Sequence, residues 1–169
     1  MTRHRAKTSR RLVAGLGAVM LALALSVPAA LAQQSDGLGA MALALVEAFV
    51  AGRLSPESAR SGAMPPTAAQ LSGDYWLITF GGQVLTLTLP AAEQGFSRQA
   101  DITLAPQAGL TLRMLETRFG AGSPQRREKN AVVLFRQQSA TGEVLIFARL
   151  HTPKPEPASP VLAIRLRRE

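Results

Sequence analysis

From Tyr75 onward the apolar residues of this chain recur at every second position. In "QVLTLTL", Leu85, Leu87 and Leu89 share one side and Thr86 and Thr88 the other. A helix cannot keep that pattern on one face, whereas a strand with one buried side requires it. Seven segments read as strands: 75–80, 83–89, 96–104, 110–114, 131–137, 143–150 and 161–167. Gly81-Gly82, between the first two, suits a tight hairpin turn. The links are mostly short and carry no helical period, so neighbouring strands are expected to run antiparallel. "WLITF", "AVVLF" and "VLIFA" are apolar on both sides, so something must cover their second face.

Upstream the period is 3.6. Leu38, Met41, Ala42, Leu45, Val46, Phe49, Val50 and Leu54 follow the i, i+3, i+4, i+7 spacing of a helix. This predicts an amphipathic helix over 39–53, the natural cover for the sheet. Ser55 can cap a short second helix with Pro56 at its first position. Residues 61–72 read as a crossing loop. The expected fold class is α+β, mainly β. The helix packs on a curled, seven-stranded antiparallel meander, with partial closure into a barrel left open. Residues 33–72 and 73–169 together make one globular domain, and no spacing repeats.

The first 32 residues are expected to be a secretory signal peptide. Arg3, Arg5, Lys7, Arg10 and Arg11 precede an apolar run from Leu12 to Val27. Pro28 then breaks the helix, and Ala30-Leu31-Ala32 offers the small residues a signal peptidase reads. Leu12 to Ala32 would also suffice for an uncleaved span, which Pro28 opposes. With no cysteine there is no lipid attachment point. Arg10-Arg11 also fits a twin-arginine signal, with the general export route preferred. Cleavage after Ala32 leaves 33–169 and lowers the net charge from +8 to +3, because five basic residues and no acids leave. That balance gives no reason to expect nucleic acid as a partner. The expected location is periplasmic or secreted, with no transmembrane span after cleavage.

The residue inventory excludes much chemistry. Without cysteine there is no thiol nucleophile, thiolate metal site or disulfide. His151 is the one histidine after residue 32, too few for a histidine-based metal site. No serine lies in a G-x-S-x-G elbow, and "GAGSP" lacks the Lys-Ser/Thr of a phosphate loop. Asp101 is the one carboxylate in mid-strand, and acid–base hydrolysis would need a second acid beside it. No catalytic residue, metal or cofactor is therefore assigned.

Three features remain. Arg126, Arg127 and Lys129 crowd one link, and Arg165 and Arg167 lie on the outer face of the last strand. Arginine forks suit carboxylate or phosphate groups, so these five residues are the candidate contacts for a partner or anion. "PKPEPASP" reads as a stiff connector or a docking strip. Tyr75 and Trp76 read as a core anchor at the start of the sheet. The expected function is an exported, non-catalytic accessory or protein-binding module. It would act through its sheet surface and basic loop on another envelope protein or an anionic surface. One alternative is a carrier of a small hydrophobic ligand between sheet and helix, and another is a hydrolase.

Overall fold

The computed structural model describes residues 37–62, 65–92, 95–125 and 130–169. The expected signal peptide lies outside these residues. Residues 37–50 form a helix, α1, which ends in a turn with Gly52 at φ +67°. Its Leu38, Ala42, Leu45, Val46 and Phe49 are buried in the core. A second helix, α2, spans Pro56–Arg60. The Ser55 side chain accepts from Ser58 N–H at 3.1 Å, and Ser55 N–H donates to Ser58 Oγ at 2.9 Å. This reciprocal pair satisfies donors that the first turn leaves open.

Eight strands follow: β1 Ala68–Ser72, β2 Tyr75–Phe80, β3 Leu85–Pro90, β4 Gln99–Leu104, β5 Ser123–Gln125, β6 Val132–Ser139, β7 Gly142–Leu150 and β8 Val161–Arg168. All pair antiparallel in one sheet of order β1-β2-β3-β4-β8-β7-β6-β5. The sheet is open: β1 and β5 are its two edges, and no barrel closes. It is two four-stranded meanders joined where β4 meets β8, with Ile102 opposite Ile164. A helical segment precedes each meander. This topological repeat has no counterpart in the residue spacing.

The seven-strand expectation is corrected in three places. Residues 110–114 are not a strand. After a 3-10 turn, Pro106–Ala108, the chain forms helix α3, Leu112–Phe119, with Leu112 and Leu115 buried. Five alternating residues fit the start of a helix as well as a strand, and Leu, Arg, Met and Glu favour helix. Strands β1 and β5 lie in segments expected to be loops. Every residue in both is exposed, so they carry no burial alternation to be read. The first hairpin also differs. Gly81, Gly82 and Gln83 all have positive φ, and Phe80 pairs with Leu85, so the connection is longer than two residues.

The proline-rich segment after β7 has a structural task. Ser159 O accepts from Leu112 N–H at 3.0 Å and Pro157 O accepts from Arg113 N–H at 2.8 Å. These are open first-turn donors of α3, whose Thr111 makes no side-chain cap. The buried Ser159 hydroxyl lies 2.9 Å from Thr152 Oγ1 and accepts from Glu156 N–H at 3.1 Å, which holds the segment in its turn.

All three helices contribute buried side chains to one apolar cluster with one face of the sheet. Phe49, Phe80, Leu87, Ile102, Leu115, Phe135 and Ile146 are all buried to within 2% of full burial. Phe119 meets Phe135 edge-on at 6.5 Å, and Arg118 pairs with Glu47 to tie α3 to α1. Of the expected core anchor, Trp76 packs against the cluster and Tyr75 lies exposed. Trp76 is partly exposed, with the Arg60 guanidinium 4.6 Å above its ring. No helix among the described residues is long and apolar enough to cross a membrane.

Candidate functional site

Among the described residues the helices cover one face of the sheet, and none covers the other. The strand alternation decides what that face presents, and the pairing register decides who stands beside whom. Across β4, β8, β7 and β6 one row reads Thr103, Ala163, Arg149, Val132. The next reads Asp101, Arg165, Phe147, Leu134, and the third Gln99, Arg167, Leu145, Arg136. Rows on the same face are about 7 Å apart along a strand.

This arrangement answers how doubly apolar strands survive without a second layer of helices. Val132 and Leu145 are only 8% and 7% exposed, yet they lie outside the cluster formed with the helices. Arg149 is the cross-strand neighbour of Val132, and Leu145 lies between Arg136 and Arg167. Long arginine stems lie over apolar neighbours while their charged ends stay in water. The helix expected to cover this face packs on the other one, and arginines stand beside Val132 and Leu145 in the pairing register.

This face holds an open depression of about 520 Å³, lined by Asp101, Thr103, Phe147, Arg149, Arg165 and Arg167, among others. A smaller one of about 210 Å³ adjoins it, with Tyr75 and Gln99 in its wall. Arg165 Nε donates to Asp101 Oδ1 at 2.8 Å. Both side chains are about half exposed, so this pair contributes at most about 1 kcal/mol. Arg136 Nη1 similarly reaches Glu143 at 3.2 Å. Among the described residues, Arg149 and Arg167 have no acid within ion-pair distance. The face thus keeps two uncompensated guanidinium groups flanking Phe147 and Arg165.

Such a surface can bind an anionic group by paired N–H donors and pack an apolar part against Phe147. Asp101 is the one carboxylate in the lining of either depression, whereas divided acid–base work needs two. His151 is exposed at a loop away from both linings. Among the described residues no three His, Cys, Asp or Glu side chains gather as a metal site.

Of the residues singled out in the sequence, Arg165 and Arg167 lie on this face. Arg126, Arg127 and Lys129 fall outside the described residues. Arg149 and Phe147 were not singled out. Both follow from the β7 alternation, but only the β7–β8 register brings them next to Arg165. The chain matches no protein-family model, no curated protein and no solved structure.

Proposed function

We propose that this chain is an exported, non-catalytic accessory module of the bacterial envelope that binds a partner through the uncovered face of its sheet. The partner segment is acidic. Carboxylates seat on Arg149, Arg165 and Arg167, and an adjoining apolar side chain packs on Phe147. The observation that carries this reading is the pair Arg149 and Arg167, two cations on the rim of one depression with no acid partner among the described residues. A basic, apolar-led N-terminus supports export. The two depressions at Arg165 lie on the outer face of the sheet, which favours an external binding surface.

The test is a pull-down from an envelope extract with the wild-type protein and an R149E/R167E double variant, with circular dichroism as the folding control. Wild type should retain an acidic protein that 0.5 M salt releases and the variant loses, on the order of a Debye-screened contact. Equal retention by a folded variant, or none by wild type, defeats the proposal.

A further inference from the structure

We infer that β1 is a dimerisation strand, and that two copies of this chain pair through it into one continuous sheet. This rests on the sheet edge and is independent of the arginine face. Edge strands in natural proteins are normally blunted by charge, proline, a bulge or extreme shortness. The two edges here differ in this respect. β5 has three residues with Pro124 at its centre, which removes a donor from the ladder. β1 has five residues, Ala68-Ala69-Gln70-Leu71-Ser72, without charge or proline, and all are exposed. Its pairing with β2 runs unbroken from Ala68↔Thr79 to Ser72↔Tyr75, with no bulge.

A second observation points to the same edge. Leu71, 57% exposed, and Tyr75, 43% exposed, are the exposed large hydrophobics among the described residues. Both belong to the β1–β2 hairpin, Leu71 opposite Trp76 and Tyr75 opposite Ser72.

The occupant is a second copy, on grounds of charge and self-complementarity. The whole chain is net positive, so identical copies repel one another over most of their surface. Residues 65–73, "PPTAAQLSG", form a stretch without any charged side chain. Antiparallel pairing about a two-fold axis at Gln70 sets Gln70 against its own copy. It sets Leu71 against the second Ala69 and Ala68 against the second Ser72. No like charges meet, and each small residue faces a larger or polar one. The axis is normal to the sheet, so both uncovered faces point the same way. Because β5 is blunted, association closes at two copies and does not run on into a fibre.

Sedimentation velocity on the purified protein, over about 1 to 100 μM, tests this. Wild type should pass from monomer to dimer within that range. Gln70→Lys and Gln70→Glu should each remain monomeric, since both place like charges directly opposite. An equimolar mixture of the two should recover the dimer. The chain has no cysteine, so Gln70→Cys should oxidise to a single covalent dimer. Gln70 is exposed, and a thermal melt checks that each variant is folded. A wild type monomeric throughout, a folded Q70K that still dimerises, or a mixture that stays monomeric overturns the inference.

Discussion

The Arg168 guanidinium donates through Nη2 to the main-chain carbonyl of Phe49, tying the last strand to the end of α1. It also lies 5.4 Å from the centre of the Phe49 ring and 5.1 Å from that of Phe96. Nη1 donates to Ser139 Oγ at 2.6 Å and to Thr141 Oγ1 in the β6–β7 turn. Among the described residues no carboxylate pairs with it. The Phe49 carbonyl, which also accepts from Gly52 N–H at 2.9 Å, lies at the C-terminal end of α1, where the helix dipole is negative and favours a cation.

Arg168→Met keeps the stem and removes every donor. It should destabilise the fold by about 1.5 to 3 kcal/mol, the usual size for hydrogen bonds from a charged group; Phe49 O and Ser139 Oγ keep their other partners. Lys should recover only part, since one ammonium cannot span both the Phe49 carbonyl and Ser139. Urea unfolding measures both. Burial lowers the Arg168 pKa. A cation lowered in the folded state carries its desolvation penalty at every pH below that folded value. The penalty is relieved only as pH rises past it, far into alkali. Arg168 should therefore add no slope to stability between about pH 5 and 9. A wild-type slope in that window that vanishes in R168M would contradict this.

Gly39 in α1 passes close to the turn after β4. A Cβ there would lie 2.9 Å from Ala108 O, Gly109 C and Leu110 N, all main-chain atoms. Gly39→Ala would gain up to about 1 kcal/mol of helix propensity, but it must push two backbone segments apart. The expected net result is a loss of about 1 to 2 kcal/mol. A raised melting temperature would show that α1 does not pack this closely.

Ser159→Ala should cost about 1 to 2 kcal/mol, because Glu156 N–H and Thr152 Oγ1 lose their buried partner. The effect should reach α3, whose first two amides bond to Ser159 O and Pro157 O. Hydrogen exchange at Leu112 and Arg113 should accelerate more than at Ile146 in the central sheet. Uniform acceleration would mean that the segment does not cap α3 selectively.

Asp101→Asn separates stability from binding. The Asp101–Arg165 pair is half exposed, so unfolding free energy should change by less than about 1 kcal/mol. The uncovered face would meanwhile gain a net positive charge and release Arg165. Affinity for an acidic partner should rise several-fold at low salt, with a steeper salt dependence. Unchanged affinity in a titration at two ionic strengths would remove Arg165 from the contact.

Alternation located β3, β4 and β8, because each buries one side against the core and records that in its sequence; β2, β6 and β7, apolar on both sides, were legible as short apolar runs between turns. Alternation also put Arg165 and Arg167 on the outer side, alternating with the buried Ile164 and Leu166. Edge strands β1 and β5 bury neither side, so nothing in their residues distinguishes them from loop. For 110–119 the local signal was ambiguous, and the deciding bonds come from Pro157 and Ser159, more than forty residues along the chain. The adjacency of β4 and β8, the grouping of Arg149 with Arg165 and Phe147, and the anchoring of Arg168 on Phe49 are all long-range. Periodicity reports which side of an element faces the core. Which elements become neighbours depends on pairing between distant segments, and only the tertiary structure decides that.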